Sequence, residues 1–241
     1  MNVYETKPIG DLIEGNPYVG RGIVVGTTPD GSCAVSAYFI MGRSANSRNR
    51  VFVCEGDTLY TKPYDAGLVE DPTLIIYAAQ RRVGHHLIVT NGDQTDTIAR
   101  GLEQGIGFAD ALNTRCFEPD APNFTPRISA MLTFAPEGFS YDMSILKSID
   151  AAGSACTRHL FSYPSVPGLG HFLHTYVTDG KVLPSFVGEP ERVQTDNDID
   201  AFAAMLWDHL NAQNRISLYV RYTSLFDETY VDRLFNQNGS R

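Results

Sequence analysis

The sequence is short of positive charge, of cysteine and of long apolar runs. Against 28 Asp and Glu it sets 19 Lys and Arg, for a formal net charge of −9. That balance excludes a surface that coats nucleic acid, because non-specific binding to phosphate backbones draws on net positive charge. A small phosphorylated ligand stays compatible, since it needs only a local basic pocket. The four cysteines, Cys33, Cys54, Cys116 and Cys156, form no CxxC pair. They fit reduced thiols in a cytoplasmic protein better than a disulfide frame or a zinc site. No apolar run approaches membrane-spanning length, and Met1-Asn2-Val3-Tyr4-Glu5 has no basic-then-apolar signal, so no membrane partner is expected. Catalytic signatures are missing too: there is no G-x-S-x-G, no Walker loop and no dinucleotide fingerprint. His171 and His174 lie three apart on a predicted strand and point to opposite faces, a poor metal pair, and His85-His86 shares the defect.

What is present is an ordinary globular composition, 43% hydrophobic and 20% charged over 241 residues, with ample material for a core. Residues 1–17 are polar, broken by Pro8 and Pro17, and read as a peripheral arm. Arg21–Thr28 and Cys33–Met41 form a predicted hairpin about Pro29-Asp30-Gly31. Further strands are predicted over Val51–Cys54, Leu74–Gln80, His85–Thr90, Ile128–Phe134, Ser140–Leu146, Ala155–Tyr163, His171–Thr178 and Ile216–Thr223. The His171–Thr178 strand ends on the hairpin signal Asp179-Gly180. One helix is expected after a Thr95 cap, with Ile98, Leu102 and Ile106 on one face, and Phe108–Leu112 extends it or forms a second. Asp196–Leu210 reads as an amphipathic helix. The tail, residues 236–241, reads as loose. No repeat or low-complexity linker divides the chain. The expectation is a single α+β domain over 18–235, with antiparallel sheets stacked and helices outside.

Three stretches could carry chemistry. In residues 38–52 a loop holding Arg43, Arg48, Arg50, Asn46 and Asn49 lies between two apolar runs, against the acidic background. Such a loop offers fork-shaped cationic donors and amide donors that suit phosphate or carboxylate. Its plain alternative is a solvated loop whose arginines meet surface carboxylates. The second stretch, Asn91-Gly92-Asp93-Gln94-Thr95-Asp96, runs from a strand into a helix and gathers backbone N–H groups at one point. Asp93 and Asp96 disfavour phosphate there and suit a heterocycle edge or a base role; plain turn and cap chemistry is the alternative. The third, Phe117 to Arg127, uses three prolines to make a rigid loop able to hold Glu118 and Arg127 in place. Locally, an irregular connector explains it as well.

Together these stretches resemble one family, the archaeal-type IMP cyclohydrolases and their bacterial relatives. The matching pieces are Tyr18-Val19-Gly20-Arg21-Gly22-Ile23-Val24-Val25-Gly26, Gly42 to Arg50, Asn91 to Asp96, and Thr125-Pro126-Arg127-Ile128-Ser129-Ala130. Arg158 to Pro164 and Pro184 to Pro190 look like the longer bacterial branch, so the resemblance covers roughly residues 18–190. It implies a four-layer α-β-β-α sandwich similar to N-terminal-nucleophile hydrolases, although this chain shows no processed nucleophile ahead of Tyr18. It implies closure of the purine ring, in which 5-formamidoimidazole-4-carboxamide ribonucleotide (FAICAR) loses water to give inosine monophosphate, with no cofactor or metal. It also implies a homo-oligomer.

Residue roles follow from the resemblance. Arg21, Arg43, Arg48 and Arg50, with Asn49, are candidates for binding the substrate and its phosphate. Tyr77 and Glu118 are the expected acid–base pair. Asn91, Thr95 and Asp96 are expected to hold the carboxamide or formyl group, and Arg127 to stabilise the oxyanion or orient Glu118. Two other readings stand beside it: an amide-processing enzyme built on Cys33 or Cys54, and a nucleotide-binding module without catalysis.

Overall fold

The structure, a computed structural model, describes residues 4–69 and 76–239. The predicted hairpin is its centre. Strands β1 (Arg21–Thr27) and β2 (Cys33–Met41) pair antiparallel. Asp30 fixes their turn, accepting from the Thr28 hydroxyl at 2.7 Å and from Ser32 N–H at 2.9 Å.

Later segments complete two antiparallel sheets. β10 (Leu169–His174), β11 (Glu191–Gln194), β12 (Arg215–Ser224) and β13 (Tyr230–Asn236) join the hairpin in a six-stranded sheet ordered β11-β10-β1-β2-β12-β13. A seven-stranded meander holds β3 (Val51–Glu55), β4 (Thr58–Lys62), β5 (Tyr77–Val83), β6 (His86–Thr90), β7 (Arg127–Ala135), β8 (Gly138–Ser148) and β9 (Cys156–Pro164).

Alternation along the strands decides the layering. Ile23, Val25, Tyr38 and Ile40 face Leu87, Val89, Ile128 and Ala130 in a core between the sheets. Their neighbours Val24, Phe39 and Met41 face the other way, onto α1 (Ile9–Ile13) and α5 (Ile199–His209). On the outer face of the seven-stranded sheet, Ile88 and Met131 receive Ile98 and Ala99 of α3 (Gln94–Glu103) and Phe108 and Leu112 of α4 (Phe108–Leu112). The predicted α+β class and stacked antiparallel sheets are therefore present. Among the described residues, no helix is long and apolar enough to cross a membrane.

Several local expectations change. The N-terminal segment is no mere arm: Ile9 and Ile13, one helical turn apart, are buried under α5. Thr95 does not cap α3. The helix starts two residues earlier, its Asp93 cap makes no side-chain cap bond because Arg115 and Arg127 occupy that carboxylate, and Ile106 lies beyond its end, 40% exposed. Asp179-Gly180 makes no hairpin. β10 stops at His174, and the next residues form a loop closed by a Tyr176–Ser185 bridge. The C-terminal stretch read as loose begins on a strand, since Asn236 ends β13 and exchanges bonds with the Phe52 backbone at 2.8 and 3.0 Å. Residues 74 and 75 of the predicted Leu74–Gln80 strand lie outside the described residues; the strand is present from Tyr77.

Candidate active site

The starts of β1 and β7 and the ends of β2 and β10 meet at one edge of the sandwich, and the loops joined to them there enclose a cleft of about 370 Å³. Arg21 enters from β1, Arg43 to Arg50 from the loop after β2, Glu118 to Thr125 from the proline-rich loop before β7, and Tyr176 and Leu183 from the loop after β10.

The Arg-rich loop is built to hold its shape. Residues Ala45–Arg48 make a single helical turn, α2, closed by a capping box: Ser44 Oγ accepts from Ser47 N–H at 3.1 Å and Ser47 Oγ accepts from Ser44 N–H at 3.0 Å. Arg48 anchors it by donating to the Gly42 carbonyl at 3.1 Å and to Asn214 at 2.9 Å. Asn49 staples the neighbouring loop through paired 2.7 Å bonds with the Asp65 backbone. Both side chains thus bond within the protein, and neither lines the cleft. Arg43 sits at the rim, ion-paired with Asp179 and lying 5.0 Å over the Tyr18 ring.

Arg21 and Arg50 are different. They are 8% and 6% exposed, they line the cleft, and the Nε of each has no hydrogen-bond partner. Among the described residues, neither guanidinium is in an ion pair. Burial alone lowers the Arg21 pKa, but Glu118, Tyr18, Tyr176 and Tyr77 outweigh it and hold the group above its ordinary value. Burial and then repulsion from Arg21 hold Arg50 below the ordinary arginine value. Glu118, 5% exposed, lies in the same field. Burial raises its carboxyl above the usual range, against the pull of Arg21, Arg127 and Arg50.

Behind these groups stands a supporting shell. Tyr77 hydrogen-bonds Tyr38 across the two sheets at 2.9 Å, within electrostatic reach of Arg21 and Arg50. Arg127 donates to Gln94 at 2.8 Å, pairs with Asp93 at 2.8 Å and acts on Glu118. Asn91 clamps the entry to β7, donating to the Pro126 carbonyl at 2.8 Å and accepting from Ile128 N–H at 2.9 Å. The Thr95 hydroxyl bonds Thr90 at 2.6 Å. Gly92 explains its own motif: a Cβ there would lie 2.6 Å from Arg127 Nη1 and 3.6 Å from Glu118 Oε1. The Asn91–Thr95 stretch thus seats the Arg127–Glu118 pair, and its polar groups are consumed in doing so.

Of the sequence candidates, Arg21, Arg43, Arg50 and Glu118 line the cleft, with Tyr77 and Arg127 against them. Asp96 is the clear departure. It falls on the solvent side of α3, opposite buried Thr95, Ile98 and Ala99, and pairs with Arg81 at 3.1 Å. The sequence reasoning missed Tyr18, Asp120, Asn123, Thr125 and Tyr176 as lining residues. Tyr18 and Thr125 open two of the matching motifs, and Asp120 and Asn123 lie within the triple-proline stretch. Tyr176 carries no local signal, being one aromatic among several on a predicted strand. No group of three or more metal-ligating side chains is found among the described residues.

A family model described as IMP cyclohydrolase-like protein matches residues 18–228. The chain is similar to the IMP cyclohydrolase of Methanopyrus kandleri, 37% identical over 116 residues, 46% of this chain and 57% of that protein. It is 32% identical to that of Methanococcus aeolicus over 163 residues, 66% of this chain and 74% of the relative. A Methanococcus maripaludis IMP cyclohydrolase is 35% identical over 120 residues, covering 48% and 58%. The matched part thus spans little more than half the length of the first and third relatives. With the motifs, the cleft they line and a family model matched over residues 18–228, the chain belongs to the IMP cyclohydrolase-like family.

Proposed function

We propose that this protein is an IMP cyclohydrolase, closing the pyrimidine ring of FAICAR with loss of water. The observation that carries the proposal is the pair of buried arginines, Arg21 and Arg50, each with an Nε that has no hydrogen-bond partner among the described residues, beside the buried carboxyl of Glu118 in one cleft. Two clustered cations against one carboxyl leave buried positive charge that an anionic ligand offsets.

The reaction joins two groups already on one imidazole ring, so orientation and charge stabilisation dominate. The carboxamide nitrogen attacks the formyl carbon, forming the C–N bond and placing negative charge on the former formyl oxygen. The carboxamide nitrogen loses one proton and the oxygen gains one, giving a hydroxyl. That hydroxyl then leaves as water with a second proton, the one lost by the former formamide nitrogen as its C=N bond to the ring carbon forms. Arg50, with Arg43 at the rim, anchors the 5′-phosphate. Arg21, whose strongest ionic neighbour is Glu118, stabilises the developing oxyanion. Glu118 and Tyr77 move the protons, and Arg127 positions Glu118.

In this reading the layers form the α-β-β-α sandwich of the N-terminal-nucleophile hydrolases, with the substrate supplying its own nucleophile. It carries with it a homo-oligomeric assembly in the cytoplasm. The amide-processing alternative loses its support: neither Cys33 nor Cys54 lines the cleft, and burial raises the Cys54 pKa. The test is to incubate the purified protein with FAICAR and follow inosine monophosphate by absorbance. Turnover is expected, and Glu118→Gln and Tyr77→Phe each slow it about a hundredfold while nucleotide still binds. Absence of turnover in the unaltered protein rejects the proposal.

A further inference from the structure

Three side chains in the cleft wall fix the direction of a single proton. Asp120 accepts twice from Thr125: the backbone N–H donates to Oδ1 at 2.6 Å, and the hydroxyl donates to Oδ2. A threonine hydroxyl has one proton and two lone pairs, so its proton is committed to the carboxylate. The same Oγ1 lies 2.6 Å from the Tyr176 hydroxyl. With no second proton to give, Thr125 accepts there and Tyr176 donates. The phenol proton therefore points into the wall, and the Tyr176 oxygen presents only lone pairs to whatever fills the cleft.

The arrangement is held rigidly. Thr125 and Tyr176 are 2% and 1% exposed, and the Tyr176 ring stacks on Tyr18 with centroids 5.9 Å apart. Gly20, at φ +79°, leaves the room this needs: a Cβ there would meet Thr175 Oγ1 at 2.1 Å and the Tyr176 ring at 2.6 Å. Tyr176 also lies in the electrostatic field of Arg21, beside the proposed reaction centre.

We infer that Tyr176 is a substrate-contacting residue that accepts a hydrogen bond from an N–H or O–H of the nucleotide, with Thr125 and Asp120 as positioning residues that set its polarity. This rests on the nucleotide reading above. Within it, two groups supply such a donor: the carboxamide nitrogen, which becomes N1–H in the product, and a ribose hydroxyl. An acceptor of fixed direction discriminates strongly, because a ligand lacking the donor leaves a buried lone pair unmatched.

The decisive variant is Asp120→Asn. Its amide oxygen must stay on the Thr125 N–H, so its NH₂ faces the Thr125 hydroxyl and donates. Thr125 then donates to Tyr176, and the phenol proton turns into the cleft with almost no change of shape. By titration calorimetry on the full chain, inosine monophosphate binding weakens about tenfold in Asp120→Asn and comparably in Tyr176→Phe. Thr125→Val loses a similar factor and Thr125→Ser recovers most of it, a pair that serves equally if Asp120→Asn does not fold.

Purine ribonucleoside monophosphate, which lacks N1–H, and the 2′- and 3′-deoxy analogues identify the donor. The analogue missing it binds the unaltered protein about tenfold more weakly than inosine monophosphate, and that gap closes in Asp120→Asn. Equal affinities across the variants, with FAICAR still turned over by the unaltered protein, overturn the inference and leave the proposed function standing. An unaltered protein that neither binds inosine monophosphate nor turns over FAICAR overturns both.

Discussion

Arg221 and Arg50 are both enclosed by this fold, 1% and 6% exposed, yet their surroundings differ in kind. Arg221 on β12 is ion-paired with Asp57, donates from Nε to the Thr223 hydroxyl at 3.2 Å and lies 3.6 Å over the Tyr230 ring. Arg50, like Arg21, has a buried Nε with no hydrogen-bond partner among the described residues, and for Arg50 the repulsion from Arg21 exceeds the pull of Glu118. A satisfied buried cation contributes to architecture. An unsatisfied one, aimed into a cleft, is explained by a ligand.

Four experiments break or sharpen this contrast. The largest effect is expected at the cleft: Arg21→Met and Arg50→Met each lower kcat/KM about a thousandfold, Arg21 mainly through kcat and Arg50 mainly through KM. Arg50→Met removes a buried charge that its surroundings disfavour, so its melting temperature stays level or rises, whereas Arg21→Met leaves buried Glu118 without its strongest cation and lowers it. A clear fall in melting temperature for Arg50→Met would make that arginine structural and erase the distinction.

Arg221→Met should do the opposite. It strands Asp57 and costs about 2–3 kcal/mol of stability by denaturant unfolding, reduced from the fully buried case because Asp57 is partly solvated. Turnover per folded molecule stays at the unaltered level.

His171 offers a third case, a buried base that can escape its charge. Its Nδ1 bonds the Tyr141 hydroxyl at 2.6 Å, its Nε2 has no partner among the described residues, and burial, then Arg192, lower its pKa from 6.5 to about 4. The unfolded chain binds this proton first as pH falls. The stability is therefore complete above pH 6.5 and is lost as pH drops from 6.5 towards about 4, by about 2 kcal/mol. His171→Gln flattens that limb of the unfolding profile; an unchanged slope assigns the acid sensitivity elsewhere.

The smallest effect belongs to Asp96→Asn, which breaks an exposed pair with Arg81. It shifts stability by no more than about 0.5 kcal/mol and leaves turnover unaltered. A large loss of turnover would return Asp96 to the active site.

The sequence made the hairpin, the two sheets' main strands and α5 legible because alternation, turn residues and helical spacing agree there. It missed β4, β11 and β13, short or edge strands, and β13 carries charge on both faces, at Asp232 and Arg233. At the site it found the cations but could not sort them. Arg48 and Arg50 are two residues apart, yet one is bonded to Gly42 and Asn214 and the other is left to the cleft. Which donors the fold itself consumes is a tertiary fact. The side chains of Asn91 and Thr95 bond within the protein for that reason, which their motif does not reveal, and Tyr176 carries no local signal because its polarity arises through Thr125 and Asp120, more than fifty residues away.

The four walls of the cleft are widely separated in the chain, from Tyr18 to Leu183, and β1 pairs on one side with its neighbour β2 and on the other with β10. As the chain leaves the ribosome, β2 can meet β1 early, but the third wall waits for residue 118 and the fourth for residue 176. A nascent chain arrested before β10 therefore carries Arg21 and Arg50 without a pocket to enclose a nucleotide. Competence to bind arrives late in synthesis and all at once.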